Sequence, residues 1–441
     1  MSYESARLVA DRIRRRELSA VEALDAFLAR IDAYDKDLNA IVSVDADLAR
    51  EAAREADATP ATGPLHGVPM TLKDGNDVAG LRTTVGTPVF DRTPDQDGVV
   101  AARLRGAGAI IVAHTNVPPF LMDYHSENEV FGRTNNPWDT SRTPGGSSGG
   151  AAAALAAGLT PIEVGSDLAG SLRVPPHFCG VYGLKATENR VSSVGFFRPL
   201  DGVPRTVRVL GSLGPMARHL DDLDLVLRVI SGPDFREPDV PPVPLPHPTR
   251  RSPGDLRLAF GLALPGVTPA AELRDAVSRV AGAASDAGAR VVEALPEADW
   301  GLQEHFMNLV MAATSIFDPG ADLTPEQRGL ATYMTGLEAR DRFTAAFTAF
   351  FRDHDALLLP PAKTVAFPHG TESTGEQGMM CVFANLAGLP ALTVPAGRDA
   401  EGLPVGVQIV GPRWSERRLL DVAAALEEAG VLPGFTRPPG Y

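Results

Sequence analysis

The stretch that most restricts what this chain can become is residues 143–187, TPGGSSGGAAAALAAGLTPIEVGSDLAGSLRVPPHFCGVYGLKAT. A glycine-rich turn there carries Ser147 and Ser148. The alanine run behind it reads as a helix ending near Gly158, since alanine is the best helix former and glycine commonly closes a helix. Residues 162–164 read as a short strand. They lead into a second loop of small residues, 165–171, which carries Ser171. Two serine-bearing loops joined by a helix and a strand are expected to meet at one site.

Lysine is scarce enough to be informative. Of 41 lysines and arginines, only Lys36, Lys73, Lys185 and Lys363 are lysines. Arginine stays protonated in proteins, whereas lysine can lose its proton. A lysine kept in so arginine-rich a chain therefore hints at a position where arginine would fail. Lys73 ends the run HGVPMTLK, a strand in which Met70 and Leu72 face one way and Thr71 and Lys73 the other. Asp74, Gly75 and Asn76 then turn the chain. Two readings stay open for Lys73 here: a surface cation at a strand end, or a partly buried amine able to act as a base.

Elsewhere helices alternate with strands, which implies an α/β fold with a largely parallel or mixed sheet. Residues 4–57 are helical, and Ser19 with Glu22 forms a capping-box pattern. A helix at 97–106 and a buried strand at 109–113 complete a β-α-β unit with the Lys73 strand. Residues 116–136 form a long irregular loop holding Asp123, Tyr124 and His125, and loops of that length are often functional. Residues 195–218 are rich in strands and turns, 221–230 a helix, and 233–253 a proline-rich extended strap. Further strands are expected at 256–262, from Val291 and Val292, and at 356–359, 391–395 and 405–410, with helices at 268–287 and 416–429. Residues 300–353 read as helical and aromatic-rich, suited to covering a pocket. The net charge of −14 and pI of about 5.1 argue against nucleic-acid and anionic-membrane partners. Cys179 and Cys381 are too few for a disulfide framework and fit a reducing compartment. No apolar run approaches the ~20 residues of a membrane helix, and the N-terminus has no apolar core of a signal peptide. A cytoplasmic protein is expected.

Several motifs compete for the chemistry. Residues 145–149, GGSSG, match G-x-S-x-G, the strand–elbow–helix turn that exposes a nucleophilic serine. Here a loop precedes it, and the reading needs an Asp and then a His downstream, with His354 and His369 available. A glycine loop at a helix N-terminus can also cradle phosphate, but no G-x-x-x-x-G-K-[ST] is present. The chain has no Rossmann fingerprint and no metal-ligand spacing, so no cofactor and no metal are expected. The second loop suits a nucleophile better. Amides from Leu168 to Ser171 in a tight turn can converge on one point, as an oxyanion hole requires. Asp167 and Arg173 flank that turn with opposite charges, placed to lock it by an ion pair.

These residues resemble the amidase signature family. GGSSGG, the small-residue helix, GSDLAGSLRVP and FCGVYGLKAT follow its pattern nearly residue by residue. The likeness extends to GPLHGVPMTLKD around Lys73, GRTNNPWD at 132–139, and NLAGLPALTVPAG and GLPVGVQIVG near the C-terminus; residues 240–380 are least alike. The resemblance implies one α/β/α domain over 1–441, a mixed central sheet covered by helices. Its parts would be a helical flank (1–58), a core (59–232), the strap (233–254), a variable substrate-pocket region (255–380) and C-terminal strands and helix (381–441).

The resemblance also places a catalytic triad on Lys73, Ser147 and Ser171. Ser171 would be the nucleophile, Ser147 a proton relay held by a cis peptide bond after Gly146, and neutral Lys73 the base. The amides of Leu168, Ala169, Gly170 and Ser171 would form the oxyanion hole, and Leu121, Met122, Tyr124 and Phe131 would line the substrate pocket. Three positions depart from the pattern: Ala169 where many members have glycine, Gly75 where asparagine is common, and Pro176 where a small residue is usual. The implied activity is hydrolysis of a small-molecule carboxylic amide. The apolar pocket candidates favour aryl or alkyl amides, with esters and carbamates or urethanes also in range, and a homodimer is a compatible assembly. The alternatives are a glutaminase-like A subunit of a tRNA-dependent amidotransferase complex, and a non-catalytic relative that only binds amides.

Overall fold

The computed structural model describes residues 2–61, 63–197, 209–303, 330–372 and 375–441; parts of the elements expected at 195–218 and 300–353 lie outside them. Apolar runs rich in Leu, Ile and Val pair into an eight-stranded sheet. Its order is Arg290–Glu293, Arg257–Phe260, Ala356–Leu359, Pro404–Val410, Ala391–Arg398, Tyr182–Lys185, Ser212–Ala217, Ile162–Asp167. The first three strands are parallel and every later pairing is antiparallel. The sheet is therefore mixed. Strands Ala356–Leu359, Pro404–Val410, Tyr182–Lys185, Ser212–Ala217 and Ile162–Asp167 are buried at every residue, which requires cover on both faces. Helices Val174–Cys179, Leu220–Ile230, Ala271–Asp286 and Glu416–Glu428 pack against the sheet, completing a single α/β domain.

A three-stranded sheet, Ile41–Val42, Ile110–Thr115 and Pro69–Lys73, carries Lys73. Its parallel pair and the helix Val99–Gly106 between them are the expected β-α-β unit. Strand Pro69–Lys73 is buried throughout, although its alternating pattern leaves one face polar. The cause is its neighbours: strand Ile162–Asp167 and helix Gly149–Ala156 both lie against it. That alanine helix is buried at every residue. Its small side chains let backbones approach closely, and a β-carbon on Gly150 would sit 2.4 Å from the Asn116 nitrogen.

The helical flank forms as Ala6–Arg14, Ala20–Leu38 and Ala46–Ala58, and the Ser19–Glu22 capping box closes in both directions. Strand Ile162–Asp167 runs three residues past its expected end, so the second serine loop shortens to 168–171. Residues 233–252 form no helix or strand. Arg190 and Arg228 donate to carbonyls of Val243, Leu245 and Pro246 there, which ties the strap down. In the described part of 300–353, Trp300 packs on Phe343, Phe347 and Phe383, and Phe347 stacks on Phe383. Phe343 and Phe347 are buried in that cluster. Among the described residues, no helix is long and apolar enough to cross a membrane.

Candidate active site

Lys73 is fully buried, so the surface-cation reading fails. Its Nζ lies 2.7 Å from Ser147 Oγ, 2.8 Å from Ser148 Oγ and 3.0 Å from Ser166 Oγ. Burial pushes the amine down to about 7, while Asp167, Glu163 and Asp74 pull it part of the way back. Near neutrality a large share of Lys73 is thus the free amine, whose lone pair can take a proton. Ser147 follows a Gly146–Ser147 peptide that is cis. Ser166 lies within GSDLAGSLRVP, but only the packing of two strands from different sheets brings it across to Lys73.

The competing motif readings find no support in the geometry. Ser147 meets a lysine, not a histidine. His354 stacks on Phe350 and His369 lies beside His125. Two amides at the start of the alanine helix are already used, Gly149 N–H by Ser126 Oγ and Gly150 N–H by the Asn116 carbonyl, and are not open to a phosphate. Among the described residues, no cluster of His, Cys, Asp or Glu is arranged to hold a metal ion.

The second loop is organised by one carboxylate. Asp167 accepts from Gly170 N–H at 2.9 Å, Leu172 N–H at 3.0 Å, and Arg173 Nε and Nη2 at 2.9 and 2.7 Å. Both side chains are fully buried, so the lock expected from their flanking charges is present. Burial opposes ionisation of Asp167, but the Arg173 guanidinium and the hydrogen bonds outweigh it and hold the carboxyl well below its ordinary range. Asn385 from helix Val382–Leu386 also bonds both partners, a role with no local sequence signal. Asp167→Asn would leave the Arg173 charge buried without its counter-ion. It is expected to cost about 3–5 kcal/mol in urea unfolding at neutral pH; an unchanged midpoint would contradict this lock.

One expectation for the turn is corrected. The Gly170 amide points at Asp167, so it does not converge with the others. The amides of Leu168, Ala169 and Ser171 make no hydrogen bond among the described residues. Tyr124 donates its hydroxyl to the Ala169 carbonyl at 2.7 Å, fixing the Ala169–Gly170 peptide from its other side. Gly170 has φ +109°, and a β-carbon there would meet Cys381 Sγ at 3.0 Å. Ser171 closes the turn with 9% exposure, and its hydroxyl makes no hydrogen bond to Ser147.

Of the four pocket candidates, Tyr124 alone bonds to this turn. Leu121 packs with Phe90, Phe196 and Phe197, Met122 is exposed, and Phe131 lies under Arg82. The unusual Gly75 has φ +122° with Phe196 close by, a conformation asparagine would adopt only under strain. Pro176 sits in the first turn of helix Val174–Cys179, where a missing N–H is tolerated.

A family model described as Amidase matches residues 22–323 and 319–420. The chain belongs to the amidase signature family. The A subunit of glutamyl-tRNA(Gln) amidotransferase from Roseiflexus castenholzii is 35% identical over 479 residues, covering 97% of this chain and 95% of its own. Its counterpart from Deinococcus radiodurans is 34% identical and covers 98% of both chains. The solved structure of 6-aminohexanoate cyclic dimer hydrolase complexed with substrate superposes with a TM-score of 0.83 at 28% identity over 99% of each chain. This amidase is accordingly a hydrolase of C–N bonds.

Proposed function

We propose that this amidase cleaves a carboxylic amide through an acyl-enzyme on Ser171. Lys73 takes the proton of Ser147, and Ser147 takes that of Ser171, whose Oγ attacks the carbonyl carbon. The amides of Leu168, Ala169 and Ser171 receive the oxyanion. Ser147 then returns the proton to the leaving amine, and water releases the acid by the same relay in reverse. The observation that carries this reading is the fully buried Lys73 amine, 2.7 Å from the Ser147 hydroxyl and lowered toward neutrality. Catalytic hydrogen bonds often close only around substrate, which accommodates the open Ser147–Ser171 link.

For the substrate, the glutaminase-like A subunit of a tRNA-dependent amidotransferase has more support than a hydrolase of small aryl or alkyl amides. Relatives at 34–35% identity over nearly the whole chain carry that name. The aryl or alkyl preference rests on Leu121, Met122, Tyr124 and Phe131, of which only Tyr124 bonds to the Ser171 turn, through its polar hydroxyl. The test measures ammonia from glutamine and aniline from an acyl anilide, with and without the amidotransferase partner proteins of the same organism. Glutamine turnover that rises with partners is expected. Anilide turnover with no glutamine turnover under either condition would return the free-standing amide hydrolase.

A further inference from the structure

Tyr124 joins the two serine loops. Its backbone, with that of its neighbours, lies on the first loop. Thr143 Oγ1 donates to the Tyr124 carbonyl at 3.1 Å, and Ser126 Oγ donates to the Gly145 carbonyl at 2.9 Å and accepts the Gly149 amide. Gly146, the residue before Ser147, leaves room for this contact. A β-carbon on it would collide with the Asp123 carbonyl and stand 2.8 Å from Tyr124 Cα. The Tyr124 side chain then crosses to the second loop, where its hydroxyl donates to the Ala169 carbonyl at 2.7 Å. Burial pushes the phenol up, so it stays protonated and remains a donor.

At the second loop that hydroxyl completes a clamp. A peptide group is planar, so holding its oxygen and its hydrogen fixes the plane. In the Ala169–Gly170 peptide, Tyr124 holds the oxygen and Asp167 holds the hydrogen, at 2.9 Å. Among the described residues, no other donor reaches the Ala169 carbonyl. The peptides on either side of this plane carry the N–H groups of Ala169 and Ser171, so the plane sets where those two amides point. A third segment closes on the same turn. Gly378, Cys381 and Asn385 follow one another at helical spacing. A β-carbon on Gly378 would stand on the Tyr124 hydroxyl and 2.7 Å from the Ala169 oxygen. Cys381 packs against Gly170, and its carbonyl accepts Arg173 Nη1 at 2.7 Å. Asn385 bonds Asp167 and Arg173.

We propose that Tyr124 is a positioning residue: seated on the Ser147 loop by its backbone, it holds the Ala169–Gly170 peptide by its hydroxyl, in a space that Gly378 leaves open, and so keeps the oxyanion amides in register with the relay serine. This rests on Ser171 being the nucleophile and on those amides receiving the oxyanion. The experiment labels Ser171 with a fluorophosphonate over a range of concentrations in the wild type, Tyr124→Phe, Gly378→Ala and the double variant. As Ser171 Oγ bonds to phosphorus, its proton passes to Ser147, fluoride leaves, and the phosphoryl oxygen gains charge that the same amides stabilise. Tyr124→Phe is expected to lower the maximal labelling rate about ten- to a hundredfold, as small misplacements at a reacting centre do, with the half-saturating concentration within about twofold of wild type. Gly378→Ala, whose methyl group pries the same bond apart, is expected to act in the same way. The double variant is then no slower than the slower single one, because both break one contact. A purely structural role would lower the melting temperature and leave the maximal rate of the folded protein unchanged, and that result overturns the inference. A loss confined to the half-saturating concentration also overturns it, since Tyr124 would then be a contact for the reagent itself. So do losses that multiply in the double variant. A wild-type adduct that maps to a residue other than Ser171 would instead overturn the nucleophile assignment.

Discussion

Ser171→Ala is expected to lower kcat by about five orders of magnitude, as loss of a nucleophile does in a serine hydrolase, with the unfolding temperature unchanged. The turn that carries Ser171 is held by the Asp167 carboxylate, Arg173, Asn385 and the Tyr124 hydroxyl, and none of these contacts uses the Ser171 side chain. Removing one small hydroxyl therefore spares the scaffold and the amides of Leu168, Ala169 and Ser171. Those amides and substrate binding leave a residual rate above the uncatalysed one, on the order of a thousandfold. The measurement is steady-state turnover on whichever of glutamine or anilide the wild type accepts, beside a thermal melt. Turnover within tenfold of wild type would remove Ser171 from the chemistry.

Lys73→Arg is expected to be as damaging as Lys73→Met, each costing about three orders of magnitude or more, in line with loss of a general base coupled to a nucleophile. The reason is protonation, not shape. In the proposed relay, turnover needs the free amine. Lys73, lowered to about 7 by burial, is ammonium below that pH and base above it, so kcat/KM falls as pH drops through neutrality. Arginine remains a cation throughout and cannot take the Ser147 proton at any working pH. Its guanidinium is also larger than a site closed by three hydroxyls was built for, so a melt accompanies the kinetics. Lys73→Met keeps the volume, and there the loss of activity is expected with the fold retained. A Lys73→Arg enzyme with more than a tenth of wild-type turnover would show that a fixed positive charge suffices.

Much of this site is legible in the sequence because its parts are local. Gly145 to Ser148 and Asp167 to Arg173 each lie within one turn, where small residues and opposite charges report their own geometry. Lys73 stands out because the chain otherwise spends its positive charge on arginine. What the sequence hides is nonlocal. Ser166 reaches Lys73 only because strand Ile162–Asp167 packs beside Pro69–Lys73, and nothing in either segment names the other. Asn385 arrives at the Asp167–Arg173 pair from a distant helix. Amide direction is equally invisible: residues 168–171 announce a tight turn but not that the Gly170 N–H turns back onto Asp167. The alternation in Pro69–Lys73 suggests one solvent face, yet a buried polar face that receives serines gives the same pattern. The order of the eight strands follows from packing that no single segment encodes.

The most direct test is peptide mapping after reaction with a fluorophosphonate, in the wild type and in Lys73→Ala. The serine relay driven by Lys73 requires an adduct on Ser171 that disappears when Lys73 is removed. An adduct on Ser147, or one on Ser171 that persists undiminished without Lys73, would contradict it.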